Sequence, residues 1–78
     1  SHFLVIELKK GRASDKVVGQ IQRYMGYIKA EIADPNQEVK GLIVALEDDL
    51  SLQRAISINP SIEFRRYEIS FDLIESGD

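Results

Sequence analysis

Glu7 and Lys9 are the residues near the start of the chain whose types and spacing could do chemistry. They close the run Phe3-Leu4-Val5-Ile6-Glu7-Leu8-Lys9, whose branched and aromatic members favour a strand. Successive side chains of a strand alternate faces, so Phe3, Val5, Glu7 and Lys9 share one face while Leu4, Ile6 and Leu8 share the other. The second face is apolar throughout, and the first turns charged at its C-terminal end. A carboxylate and an ammonium on one face can act together on a single anionic group. Sites in α/β sheets tend to gather at the carboxyl ends of strands, which is where this pair stands.

The elements that must hold the pair follow from pattern. The first strand, about Phe3 to Lys9, is predicted to end at Gly11, where a backbone free to take positive φ permits a turn. Ser14 then suits an N-cap, and Asp15 suits the positive end of a following helix. Val17, Ile21, Met25, Ile28 and Ile32 recur at helical spacing and predict an amphipathic helix to about Ala33, stopped by Asp34-Pro35-Asn36. On that helix Gly19 and Gly26 read as marks of close packing. Val39 to Leu46 is nearly continuous in apolar residues, the pattern of a strand covered on both faces. Asp48 or Asp49 is expected to cap a short helix reaching about Ile58, with Asn59-Pro60 ending it. In the last strand, about Ile62 to Leu73, the apolar residues shift from even to odd positions, which predicts a bulge near Arg65-Arg66. The order β-α-β-α-β favours parallel strands joined by right-handed crossovers, hence an α/β sheet.

Composition bounds the rest. At 78 residues and 44% hydrophobic, the chain reads as a single small domain with a thin core. It has no Cys, which excludes disulfides and thiolate metal sites and suits a reducing, cytoplasmic setting. No apolar run is long enough to span a bilayer as a helix, so no membrane partner is expected. The net charge of -3 makes no global case for nucleic acid, but Lys9, Lys10, Arg12 and Lys16 crowd the segment after the first strand. The chain opens without Met and enters a strand at once, so the expectation is a fragment with sequence upstream and other domains in the parent chain.

Glu7-Leu8-Lys9 at the end of an apolar strand, followed by Gln20-Ile21-Gln22-Arg23-Tyr24 in the next helix, resembles the PD-(D/E)XK nuclease superfamily. The likeness is to its E-x-K element and to the Q-x-x-x-Y helix motif of RecB-like members. The wider run from Ile6 to Ile28, with V-K-G-L-I-V-A and I-E-F-R-R-Y-E-I-S-F later, is similar to the C-terminal nuclease domain of NucS-type endonucleases. This resemblance spans about Phe3 to Leu73 and implies a β-α-β-α-β fragment, the C-terminal part of a restriction-endonuclease-like mixed sheet flanked by helices.

The resemblance also implies a chemistry. Hydrolysis of a phosphodiester calls for a hard divalent cation held by oxygen ligands, Mg2+ or Mn2+. Glu7 would be one ligand, the Leu8 carbonyl a second, and Lys9 the catalytic cation. Gln20 and Tyr24, four apart on one helix face, would help to organise the site. Lys10, Arg12 and Lys16 would contact backbone phosphates of DNA without reading sequence. The expected activity is a metal-dependent DNA endonuclease acting on single-stranded, branched or mismatched DNA, with a non-catalytic module of the same fold, binding nucleic acid or protein, as the alternative. The family's other metal ligand is an Asp on the strand before E-x-K, for which this chain holds no residue. Without that strand the first one is an open edge, expected to pair with a second copy. Glu47-Asp48-Asp49 could add a ligand, but helix capping is the simpler reason for acids there.

Overall fold

A computed structural model describes residues 2–77. Among these residues the chain forms β1 (His2–Ala13), α1 (Asp15–Glu31), β2 (Glu38–Asp48), α2 (Leu50–Ser57) and β3 (Ile62–Arg66). The strands lie in the order β1-β2-β3, each pair parallel, so each helix bridges two neighbouring strands as the βαβ pattern requires. The α/β class and the element order agree with the sequence reading, and β1 forms an edge of the described sheet.

The core lies between the sheet and its two helices. Val17, Val18 and Ile21 of α1 and Leu52 of α2 are buried against Ile43 and Ala45 of β2, Ile62 of β3 and Ala13. Val5, Met25, Ala55, Ile56 and Phe64 pack around this cluster. The register sets Glu7, Ile43 and Phe64 side by side on one rung, and Val5, Gly41 and Ile62 on another. α1 comes so close to β2 that a methyl group on Gly41 would sit 2.8 Å from Met25 Sδ and 3.0 Å from Ile21 Cδ1.

Both helices start where capping chemistry places them. The Ser14 side chain accepts from the Lys16 N–H, and Asp49 accepts from the Leu52 N–H at 2.8 Å. Asp49 also accepts from the Ser51 hydroxyl at 2.7 Å, and Ser51 Oγ accepts from the Asp15 N–H, linking the two helix starts. The Gln22 side chain donates to Asn59 at 2.9 Å and ties α1 to the turn before β3.

Several expectations are corrected. β1 does not turn at Gly11: it runs to Ala13, and among the described residues no glycine has positive φ. The irregularity is a bulge instead. Lys9 pairs with Ala45 and Arg12 with Glu47, leaving Lys10 and Gly11 opposite Leu46 alone. No bulge forms at Arg65-Arg66: β3 stays in register and ends at Arg66, and residues 67–77 lie outside any strand. The change of apolar phase therefore marks departure from the sheet, where Phe71 and Leu73 are 84% and 98% exposed. A Cβ at Gly19 or Gly26 would meet nothing within 4 Å, so neither glycine marks close packing. Nor is β2 covered equally on both faces: Ile43 and Ala45 are buried under the helices, whereas Leu42, Val44 and Leu46 on the other face are half-buried. Among the described residues the helices cover the sheet face of Val5, Glu7, Ile43 and Ala45, and the uniformly apolar side of β1 stays open, with Leu4, Ile6 and Leu8 each more than half exposed.

Candidate active site

The strand alternation that puts Glu7 and Lys9 on one face also turns them toward α1. Both are half-buried, and Lys9 Nζ stands 3.8 Å from Glu7 Oε1. α1 starts at Asp15 and runs back over the sheet, where helical spacing sets Gln20, Arg23 and Tyr24 on one face. These five side chains line one open cleft of about 350 Å3. Glu7, Lys9, Gln20 and Tyr24 are thus brought together from two elements.

Arg23 was not singled out in the sequence, although it sits within Q-I-Q-R-Y, three residues after Gln20. Its signal was the i, i+3 spacing, which puts a second cation beside Lys9 at the cleft wall. Glu7 and Tyr24 also line a neighbouring, more apolar cleft with Val5, Ile6, Tyr27 and Ile28, so both side chains stand between the two hollows.

The three basic residues expected to contact DNA backbone, Lys10, Arg12 and Lys16, lie outside this cleft. Lys10 is exposed in the bulge, and Lys16 is exposed in the first turn of α1. Arg12 is engaged by Glu47, with Nη2 at 3.2 Å and Nε at 3.4 Å from one carboxylate oxygen. An exposed pair of this kind contributes little to stability, but it partly neutralises the cation as a phosphate contact.

Glu47, Asp48 and Asp49 each have a partner. Glu47 accepts from Arg12, Asp48 accepts from Gln53 Nε2 at 2.7 Å, and Asp49 caps α2. The Asp49 carboxyl is held below its ordinary value near 3.8, first by the Ser51 hydroxyl and then by the Leu52 N–H. The capping reading of this acidic run therefore fits the geometry.

The donor set suits a hard cation in kind, since the Glu7 carboxylate and the Leu8 carbonyl are oxygen donors. It is short in number: among the described residues no group of three acidic or imidazole side chains is gathered for a metal.

Two of the three comparisons with known proteins are negative: no family model matches the chain, and no curated protein matches it. The third finds the fold. The chain is similar to the crystal structure of a repair endonuclease from Pyrococcus abyssi, with a TM-score of 0.69 and 29% identity over 83% of this chain. That stretch is 27% of the Pyrococcus abyssi chain, so the present sequence spans about a quarter of its structural relative. The likeness includes sequence as well as backbone, and it bears out the resemblance to NucS-type endonucleases.

Proposed function

We propose that the chain is the E-x-K part of a divalent-metal-dependent DNA endonuclease domain. The observation that carries this reading is the convergence of Glu7, Lys9, Gln20 and Tyr24 on one cleft, in a fold similar to that of a repair endonuclease. A strand end supplies the carboxylate and the ammonium, and a helix laid across it supplies the amide and the phenol.

Each residue has a role that its position supports. Glu7 and the Leu8 carbonyl would hold Mg2+ or Mn2+, with the remaining ligands from outside this chain and from water. When bound, such an ion acidifies water and offsets charge on a phosphate. Lys9 faces the same cleft as Glu7, so its ammonium meets the phosphate that Glu7 approaches and stabilises the negative charge that builds during attack. Glu7 in turn keeps the ammonium within 3.8 Å of its carboxylate, which orients it before substrate arrives. Gln20 orients groups by hydrogen bonding, and Tyr24 offers an exposed ring and hydroxyl at the cleft wall. Single-stranded, branched or mismatched DNA is the proposed substrate, because its unpaired positions let the backbone bend into an open cleft more easily than a fully paired duplex does. Lys10, Arg12 and Lys16 would hold the strand on either side.

The test is cleavage of labelled single-stranded and flap DNA by the full-length parent protein, with Mg2+ or Mn2+, beside its Glu7→Ala variant. The reading expects cleavage that is lost both with chelator and with the variant. Retained DNA binding without cleavage would assign the non-catalytic alternative.

A further inference from the structure

The bulge in β1 begins at the residue after Lys9, and a side chain from just beyond β3 reaches its backbone. Lys10 and Gly11 stand opposite Leu46 alone, so the regular ladder is interrupted just where the E-x-K element ends. A bulge takes backbone groups out of the ladder, and a carbonyl so released needs another donor or water. At Lys10 that donor is the Tyr67 hydroxyl, 3.0 Å from the carbonyl oxygen. Tyr67 lies two strands away, just beyond β3, and is itself held by its N–H donating to the Ala45 carbonyl at 3.0 Å. Ala45 is the register partner of Lys9, and Tyr67 shares a shallow cleft with Leu46, the residue opposite the bulge. The Tyr67 side chain thus spans β2 and ties the third strand to the first.

We infer that Tyr67 is a positioning residue for the cleft of Glu7 and Lys9, its hydroxyl fixing the bulged strand end on which Glu7, the Leu8 carbonyl and Lys9 are mounted. The inference rests on the nuclease reading above. It acts through backbone: Tyr67 does not line the cleft, and its hydroxyl reaches the Lys10–Gly11 peptide unit, one unit beyond the Lys9 carbonyl. With that bond absent, the Lys10–Gly11 segment keeps its extra residue and the flanking Arg12–Glu47 pair but loses the contact made to its own backbone carbonyl. Lys9 then samples positions in which its ammonium is off the line of attack.

The decisive variant is Tyr67→Phe, which keeps the ring and removes one oxygen. In the full-length protein we expect kcat for single-stranded DNA cleavage to fall about tenfold, short of the roughly 100-fold that an ångström of misplacement can cost. KM for DNA and the thermal midpoint should stay near the parent values, a split that loss of general stability would not produce. Amide hydrogen exchange supplies a readout independent of activity: Gly11 should exchange faster in the variant while the α1 amides stay protected. An active parent with unchanged kcat in Tyr67→Phe would overturn the inference and leave the nuclease reading intact. Unchanged exchange at Gly11 would overturn it as well. An inactive parent with faster Gly11 exchange in the variant would remove the nuclease reading and with it the positioning role, while the tie between strands stood.

Discussion

Replacing Gly41 with Ala probes how closely the helix that carries Gln20 and Tyr24 must approach the sheet. Gly41 is buried in β2, between Val5 and Ile62 on its rung, and the added methyl would lie 2.8 Å from Met25 Sδ and 3.0 Å from Ile21 Cδ1. Met25 is half-buried and its thioether can swing, but Ile21 is fully buried and has nowhere to go. Overpacking of this kind costs about 1–3 kcal/mol. Restricting the unfolded chain returns roughly 0.4–1 kcal/mol. The expected net loss is about 1 kcal/mol, a large share of the roughly 4–12 kcal/mol that a domain of this length can hold. Urea denaturation followed by circular dichroism reads it directly, as a lower midpoint with an unchanged slope. The same substitution in an Ile21→Val background should cost less, because the Cδ1 methyl that cannot move aside is gone. Cleavage by the full-length Gly41→Ala protein should fall too, since α1 lifts Gln20 and Tyr24 away from Glu7. A Gly41→Ala chain as stable as the parent would refute the close approach of α1 to β2, as would a penalty that Ile21→Val leaves untouched.

Other outcomes follow from particular contacts. The depressed Asp49 carboxyl contributes stability that is present above its ordinary value near 3.8 and is lost as pH falls through the lower folded value. Asp49→Asn should therefore lower the thermal midpoint at neutral pH, with the difference from the parent shrinking in acid. If Lys10 contacts a phosphate, Lys10→Ala in the full-length protein should reduce the slope of log affinity against log salt by about 0.7 on single-stranded DNA. Arg12→Ala should change that slope less, because Glu47 already neutralises Arg12; equal changes would contradict this difference. The open edge of β1, flanked by exposed Leu4, Ile6 and Leu8, should make the isolated 78-residue chain self-associate. A monomer at every concentration in analytical ultracentrifugation would rule that out.

Periodicity made the framework legible. The Val17, Ile21 and Met25 spacing and the Ser14 cap located α1, and Asp34-Pro35-Asn36 located its end, because these signals act within a few residues. What was missed depends on partners distant in sequence. Gly11 looked like a turn, yet β2 extends to Asp48 and gives β1 something to pair with past it. The apolar alternation after Tyr67 looked like a longer strand, but the β2–β3 ladder stops at Ala45 and Arg66 although β2 continues to Asp48 beside β1. Along β1 the alternation predicted which residues share a face but not which face the helices would cover. That choice is set by Ile43, Ala45 and Leu52, far along the chain. Within the site, the Glu7–Lys9 and Gln20–Tyr24 spacings were readable as pairs, and their meeting in one cleft is a consequence of the βαβ topology. Arg23 carried only its i, i+3 spacing from Gln20, and Tyr67 had no local signal that separates it from an ordinary strand residue.

The central claim is that Glu7 serves as a metal-holding carboxylate for DNA cleavage, and the most direct test is single-turnover cleavage by the full-length protein against its Glu7→Gln variant as Mn2+ is raised. The isosteric change keeps the fold and the volume of the side chain and removes the charge that holds the ion. The account predicts metal-dependent cleavage in the parent and background rates in Glu7→Gln at every Mn2+ concentration, with DNA still bound. Parent and variant cleaving at the same rate would contradict it.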